Sequence, residues 1–249
     1  MLTARGYVST AVLDGKLYAA GGQDDEADGA TSNSVERYDF AANAWEAVAP
    51  MATPRENHAV TVLDGKVYAV GGLSDGVGRL SSVERYDPAT NGWEEVAPMA
   101  EARNCHGVAV LDGKLYAVGG FNRENGGHLS SVERYDPATN AWEAVAPMAT
   151  PREAHAVAVL DGKLYAVGGY NDDDGRLSSV ERYDPALDAW EAVAPMGEER
   201  DGLAVTVLDG KLYAVGGCDD NPNGGDLTSV ERYDPATNPR EAVAPMATA

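Results

Sequence analysis

Short apolar stretches alternate with turn-forming residues along the entire chain. Near the middle, residues 108–111 are apolar, Asp112-Gly113 follows, and residues 114–119 form a second apolar stretch. An Asp-Gly pair between two such stretches is typical of a two-residue β-hairpin turn. After a variable polar loop, residues 132–136 and 142–146 predict two more strands separated by a turn. The pattern predicts a four-stranded antiparallel meander.

This meander is repeated five times. Each unit has two adjacent glycines after its second predicted strand, and the pairs are spaced 48 to 50 residues apart, beginning at Gly21, Gly71, Gly119, Gly168 and Gly216. The units cover approximately residues 4–51, 52–99, 100–148, 149–196 and 197–246, so we expect residues 1–249 to form a single domain. One meander buries too little surface to fold alone, and a β-propeller solves this by stacking about four to eight of them radially.

The repeat resembles the kelch motif, in which two glycines after an apolar strand are followed by a Tyr about 16 residues later and then by a Trp, with a period of about 50 residues. Gly119-Gly120, Tyr135 and Trp142 carry this signature in the third unit, and the resemblance covers essentially the entire chain. It implies an all-β fold, a five-bladed kelch β-propeller with four antiparallel strands per blade. Two alternatives stay open here: the five repeats close alone into a monomeric ring, or they belong to a larger ring.

The fifth unit departs from the pattern in its fourth strand. A Trp occupies one position in the other units, at Trp45, Trp93, Trp142 and Trp190, whereas Arg240 stands there in the fifth. Aromatic side chains contribute a large apolar area to packing. We therefore expect the fifth blade to be the least stable.

Composition narrows the classes of partner. The chain has 19 Lys and Arg against 40 Asp and Glu, a net charge of −21. Binding to nucleic acid or to an anionic membrane requires clustered cations, so we expect neither partner. No apolar stretch is long enough to span a bilayer. With two cysteines a disulfide framework is excluded, which favours a reducing, cytoplasmic location.

Polar residues that recur in every unit are best explained by the scaffold. Two sets recur: Arg5, Arg55, Arg103, Arg152 and Arg200, and Glu36, Glu84, Glu133, Glu181 and Glu231. We expect them to form buried charge-assisted contacts, the alternative being a ring of anion-binding guanidiniums. The glycine pairs are expected to permit close backbone approach. They do not resemble a phosphate-binding loop, since no helix is predicted after them.

Ligand specificity must come from positions at which the five units carry different residues. Three such positions, or registers, recur in every unit. They contain Gln23, Leu73, Phe121, Tyr170 and Cys218 after the glycines; Gly6, Glu56, Asn104, Glu153 and Asp201 after the recurring arginines; and Thr31, Arg79, His128, Arg176 and Asp226 before the third strand. Kelch substrate adaptors of ubiquitin ligases build a peptide-binding rim from these same positions. The resemblance therefore implies that these fifteen residues, hereafter the rim residues, bind a protein or peptide.

The character of the rim residues suggests what they would bind. They lie in predicted loops, where binding residues concentrate, and Leu73, Phe121 and Tyr170 would be apolar anchors among polar neighbours. The loops of the first, fourth and fifth units are acidic, with Asp24, Asp25, Glu26, Asp28, Asp172, Asp173, Asp174, Asp219, Asp220 and Asp226. We expect a basic partner segment with an apolar residue. The alternative is that these carboxylates only aid solubility.

Signals for metal binding and catalysis are weak. Residues 24–29 and 219–224 resemble the first half of a calcium loop but lack a Glu at the twelfth position. His58, His106 and His155 share one register, which predicts packing, while Cys105 and Cys218 are candidate accessible thiols. No nucleophile has an identifiable base.

The main hypothesis is thus a non-enzymatic kelch propeller that binds a protein or peptide and needs no cofactor or metal. The alternative is a consensus-like scaffold, recently duplicated or engineered, without an evolved ligand. The near identity of the units motivates this alternative. A sugar- or metal-dependent kelch enzyme ranks third.

Overall fold

The computed structural model describes residues 1–24, 29–219, 225–238 and 240–248. Its described residues form antiparallel β-sheets and one short 3₁₀ helix, and none of them lies in an α-helix. Among them, no helix is long and apolar enough to cross a membrane. The chain divides into two compact units: Met1–Leu115 with Glu133–Glu143, and Tyr116–Val132 with Ala144–Ala249.

Each repeat contributes four long strands. Those of the first two repeats are Ser9–Leu13, Lys16–Ala20, Val35–Asp39 and Ala44–Val48, then Ala59–Leu63, Lys66–Val70, Val83–Asp87 and Gly92–Val96. The third repeat has Gly107–Leu111, Lys114–Val118, Val132–Asp136 and Ala141–Val145. The last two have Ala156–Leu160, Lys163–Val167, Val180–Asp184 and Ala189–Val193, then Ala204–Leu208, Lys211–Val215, Val230–Tyr233 and Arg240–Val243. The four-strand pattern predicted for a unit is confirmed.

Short strands occupy the segment predicted as a variable polar loop. They are Gln23–Asp24, Ala30–Thr31, Leu73–Ser74, Gly78–Arg79, Phe121–Asn122, Gly127–His128, Tyr170–Asn171 and Gly175–Arg176. The 3₁₀ helix, Arg123–Asn125, connects two of them. A further short strand, Arg5–Gly6, precedes the first long strand and pairs with Gln23–Asp24. A ladder of two residues has no hydrophobic periodicity of its own, so the sequence pattern could not reveal it.

In the first unit, the first two repeats each form a sheet in which the four long strands are hydrogen-bonded in chain order. The junction between these repeats is apolar. Leu13, Tyr18 and Met51 of the first repeat pack in one buried cluster with Val67 and Tyr86 of the second. Alternate residues of a strand point to opposite faces, so each sheet is buried on a face that meets its neighbour.

In the second unit, the fourth and fifth repeats form sheets with the same strand order. Their junction repeats the arrangement of the first unit: Leu160, Tyr165 and Met196 cluster with Leu212 and Tyr233. The Tyr165 and Tyr233 rings lie 6.0 Å apart between centroids. The same residue types therefore build the core at each of these two junctions.

The glycine pair lies at the junction between consecutive repeats. A Cβ on Gly71 would lie 2.5 Å from the Arg103 carbonyl oxygen and 2.9 Å from His106 Cε1, both in the next repeat. The amide of Gly72 donates to the same Arg103 oxygen over 2.8 Å. Gly71 also has a φ of +58°, which favours glycine. This confirms that the glycines permit close backbone approach.

The recurring arginines and glutamates are buried ion pairs. Arg55 is 0% exposed, and its Nη2 donates to Glu84 Oε1 over 2.7 Å while its Nη1 donates to the Gly71 carbonyl. Glu84 also accepts from the amides of Ala52 and Thr53. Equivalent pairs join Arg5 to Glu36, Arg103 to Glu133, Arg152 to Glu181 and Arg200 to Glu231. The scaffold interpretation is confirmed, because these guanidiniums are not open to a ligand.

Candidate functional site: the rim residues

The structure places the three variable registers on short strands or isolated β-bridges. In the fourth repeat, Tyr170 pairs with Arg176 on one side and forms a bridge with Glu153 on the other. The corresponding sets are Gly6, Gln23 and Thr31; Glu56, Leu73 and Arg79; and Asp201, Cys218 and Asp226. In the third repeat Phe121 pairs with His128. Strand pairing therefore brings rim residues together within a repeat, as a binding surface requires.

The exposure of the rim residues is uneven. Asp226 is exposed, Glu56 and Asn104 are buried, and the other twelve are half-buried. Half-buried side chains are held by neighbours yet can still touch a ligand. Glu56 and Asn104 instead support their neighbours, because little of their surface is free.

In the first unit, rim residues of successive repeats are joined by polar contacts. The Thr31 amide donates to Asp75 over 2.8 Å, and Arg79 Nε donates to Asn104 Oδ1 over 3.1 Å. Burial raises the pKa of Glu56, nearby Asp75 raises it further, and a hydrogen bond with Gln23 opposes the shift. The half-buried Leu73 pairs with Arg79 on one side and forms a β-bridge with Glu56 on the other. This surface is mainly polar.

In the second unit, an aromatic cluster surrounds His128. Its ring lies edge-on to Phe121 at 5.1 Å and to Tyr170 at 5.5 Å between centroids. His128 Nε2 is 3.3 Å from Glu153 Oε1, and Nδ1 is 3.8 Å from Asp172 Oδ2. Phe121 and Tyr170, predicted as separate anchors, are thereby joined into one patch with carboxylates at its border.

The fourth and fifth repeats continue this surface with charged groups. Arg176 Nε donates to Asp201 Oδ1 over 2.8 Å, and Arg176 Nη1 donates to the Asp219 carbonyl over 3.0 Å. A cavity of about 390 Å³ beside Arg176 is bordered by Asp174 and Glu199. Carboxylates outnumber the cation here, so the cavity suits a positively charged group.

Neither cysteine is in a disulfide bond, and both are half-buried. Cys218 Sγ donates to Asp226 Oδ1 over 3.2 Å, and this hydrogen bond, aided by burial, raises the pKa of the thiol. A raised pKa leaves less thiolate at neutral pH, which lowers reactivity. Cys218 is accordingly a poorer nucleophile than its rim position suggests.

Part of the acidic surface can be located. Asp172, Asp173 and Asp174 are exposed, next to Tyr170 in the chain. Asp25, Glu26, Asp28 and Asp220, and most of both calcium-like segments, lie outside the described residues. Among the residues that are described, no group of three or more His, Cys, Asp or Glu is arranged to hold a metal ion.

Sequence reasoning missed the residues that shape the rim turns. Asn171 is 2% exposed; its side-chain oxygen accepts from the amides of Asp173 and Asp174, and its Nδ2 donates to the Pro151 carbonyl. Asn122 accepts similarly from the Glu124 amide. A signal was present, since the second residue after each glycine pair is a small polar residue: Asp24, Ser74, Asn122, Asn171 and Asp219. Such side chains form turns with the following backbone.

The comparisons with known proteins agree with this architecture. Residues 102–149, 151–197 and 199–247 match a family model described as "Kelch motif", and residues 2–120 match the "KLHDC2/KLHL20/DRC7 Kelch-repeats domain". A solved structure titled "Structure of YjhT" has a TM-score of 0.81 with 17% identity, covering 96% of this chain and 84% of that chain. At this identity, the likeness supports the fold alone. No curated protein matches the chain.

Proposed function

Since the chain belongs to the kelch-repeat family, we propose that it is a non-enzymatic binding module whose rim residues recognise a protein or peptide segment. Each four-stranded sheet is then one blade, and the five repeats supply five blades. Kelch repeats typically bind proteins, which supports the class of function. The observation that carries the proposal is the Phe121, His128 and Tyr170 cluster, because an aromatic patch inside a polar border has the composition of a recognition hot spot.

The charges around this cluster support a basic segment as the ligand. Glu153 and Asp172 flank His128, and Asp173 and Asp174 are exposed nearby. An Arg or Lys side chain beside an aromatic face and carboxylates gains both cation–π and ion-pair stabilisation. The overall charge of −21 also accelerates the approach of a basic partner at low salt. The bound segment therefore combines a cation with an apolar residue.

The proposal is tested by selecting peptides that bind the chain from a phage-displayed random library. The selected peptides are then synthesised with a fluorescent label, and their affinity is measured by fluorescence anisotropy. We expect basic peptides that contain an apolar residue. Phe121→Ala and Tyr170→Ala should each weaken binding at least about tenfold, or about 1.4 kcal/mol, without lowering the melting temperature. Phe40→Ala is the matched control, because Phe40 is the chain's other Phe, is 63% exposed and is not one of the rim residues.

Two results would contradict the rim assignment: enrichment of no peptide, or equal affinities for wild type, Phe121→Ala and Tyr170→Ala. The first result is also what a consensus-like scaffold without a ligand predicts. The near identity of the repeats, with the same ion pair in each, is the observation that favours that second candidate.

A further inference from the structure

A tryptophan of the fourth long strand fills the junction with the preceding repeat. In the fourth repeat, the Trp190 ring lies 5.2 Å from the Tyr183 ring between centroids, and Trp190 Nε1 donates to the Ala146 carbonyl of the third repeat over 2.9 Å. Trp93 and Trp142 make the same two kinds of contact. The indole therefore occupies the space between its own strand and the connection that leads in from the preceding repeat.

The fifth repeat keeps the hydrogen bond and loses the ring. Arg240 stands at the tryptophan position, where its Nε donates to the Ala194 carbonyl over 2.6 Å and its Cζ lies 5.0 Å from the centroid of the Tyr233 ring. A guanidinium is smaller than an indole, so it leaves part of the space open. A cavity of about 610 Å³ lies beside it.

This cavity, hereafter the Arg240 cavity, is built by the junction of the fourth and fifth repeats. Its lining residues lie between residues 194 and 242, all in one compact unit, and none of the fifteen rim residues is among them. Pro195, Met196 and Ala242 give it apolar walls. Ligand sites are typically concave, mostly apolar and about 300–1,000 Å³ in volume, with a few polar groups that orient the ligand. The Arg240 cavity has this size and composition.

Arg240 contributes a polar group that is open to a ligand. Its Nη2 is buried and has no hydrogen-bond partner among the residues that the structure describes. Within the same residues, the guanidinium forms no ion pair. A buried charge without a partner is unfavourable, because water no longer solvates it. A ligand with an acceptor oxygen would satisfy this nitrogen.

The carboxylates that border the cavity already have cationic partners. Glu231 and Glu198 both accept from Arg200 Nη2, over 2.9 and 3.0 Å. Glu241 accepts from Arg232. The guanidinium of the fourth strand is therefore the charged group at this cavity that still requires a counter-ion, and it selects an anion over a cation.

We propose that the Arg240 cavity binds a small aromatic carboxylate, whose carboxylate accepts from Arg240 Nη2 while its ring occupies the open space beside the guanidinium. The planar guanidinium matches a carboxylate in geometry, and the hydrogen bond is strengthened by both charges. The ring restores the packing that an indole supplies in the other repeats, as small apolar molecules do when they enter an apolar cavity of matching size. This inference is independent of the rim.

The test is a titration of the ¹⁵N-labelled chain with indole-3-carboxylate, followed by ¹H–¹⁵N NMR in about 0.15 M NaCl, where the Debye length of about 8 Å screens the repulsion between the acidic chain and the anion. We expect saturable shifts at residues 194–198 and 240–242, with a Kd of about 1 mM or lower. The neutral indole-3-carboxamide has nearly the same shape and should bind at least about tenfold more weakly.

Two results of this titration would overturn the proposal. The first is the absence of saturable shifts at the residues that line the cavity. The second is equal affinity for the acid and the amide, which would show that water already satisfies the guanidinium.

Two variants of Arg240 separate the space from the charge. Arg240→Trp fills the cavity and removes the cation, so it should abolish binding. Arg240→Gln keeps much of the space without the charge, so it should bind the acid and the amide with affinities within about twofold of each other. Arg123→Trp is the matched control, because Arg123 is exposed and does not border the cavity, and it should keep the wild-type Kd.

The melting temperature of each variant shows that it is folded. Binding that survives Arg240→Trp, or a preference for the acid that survives Arg240→Gln, would place the ligand elsewhere and overturn the assignment. Either result would leave peptide binding at the rim unaffected, so failure of this inference is distinguishable from failure of the proposed function.

Discussion

His58, which directly precedes the first long strand of the second repeat, acts as a neutral packing group. His58 is 5% exposed, and neither ring nitrogen has a hydrogen-bond partner among the described residues. Burial, aided by the nearby Arg55 charge, lowers the pKa of His58 to about 3. Its Cε1 lies 2.7 Å from the position that a Cβ on Gly21 would take, so the ring fills the space left by glycine. This supports the packing role predicted from the repeated register.

Acid should destabilise the fold through this histidine. An unfolded His58 binds a proton near its ordinary pKa of 6.5, whereas the folded one does so near 3, so the unfolded state holds more protons between these values. The contribution of His58 to the free energy of unfolding is therefore intact above pH 6.5. It falls as the pH drops toward 3, by up to about 1.4 kcal/mol per pH unit. His58→Leu should remove this loss, since Leu203 occupies the equivalent place in the fifth repeat. The measurement is urea unfolding at several pH values; parallel profiles for wild type and variant would contradict the prediction.

At the scale of the element, the glycine pair decides how closely two sheets approach. Gly71→Ala adds a Cβ 2.5 Å from a backbone oxygen, and Gly65→Ala adds one in open space, while both positions have positive φ values of 58° and 68°. Gly65→Ala should cost about 1 kcal/mol from backbone conformation alone. Gly71→Ala should cost at least about 2 kcal/mol more, because the clash must move the next repeat. Equilibrium unfolding of the two variants checks this, and equal losses would show that the close approach does not constrain the junction.

The fourth strand of the fifth repeat shows a substitution that keeps some contacts and loses others. Arg240 Nε donates to the Ala194 carbonyl over 2.6 Å, as Trp190 Nε1 does to Ala146 over 2.9 Å. The guanidinium also lies 5.0 Å from the centroid of the Tyr233 ring. However, a cavity of about 610 Å³ opens beside Arg240, and burial lowers the pKa of its guanidinium, which means that its charge is poorly solvated.

Replacing this arginine by the residue of the other repeats should stabilise the fifth sheet. Arg240→Trp keeps the hydrogen bond to Ala194, fills part of the cavity and removes a desolvated charge, for a gain of about 1 kcal/mol. Trp190→Arg in the fourth repeat is the reciprocal control and should lose stability. Thermal unfolding with hydrogen exchange in residues 230–243 measures both effects. An unchanged or lower midpoint for Arg240→Trp would argue against this account of the site.

At the scale of the whole molecule, most Lys and Arg side chains are held in ion pairs of the scaffold. Of the 19 cations, 15 belong to three ion pairs that recur in all five repeats, as in Arg55 with Glu84, Arg85 with Glu94 and Lys66 with Asp87. In the first repeat the Lys–Asp pair is Lys16 with Asp39, and the Lys16 ammonium and two backbone amides hold the pKa of Asp39 at about 2. Few cations remain to contact phosphates, and the excess carboxylates favour basic partners.

The sequence by itself determined the repeat, the four-stranded pattern, the glycine junctions and the structural role of the recurring Arg and Glu residues. These features follow from local periodicity, turn chemistry and the fact that each is repeated five times. Only the tertiary structure decided that Glu56 and Asn104 are buried and that Phe121 and Tyr170 meet across His128. Burial and side-chain contact at these positions depend on residues of other repeats, as in the contact of His128 with Tyr170, and no local pattern contains them.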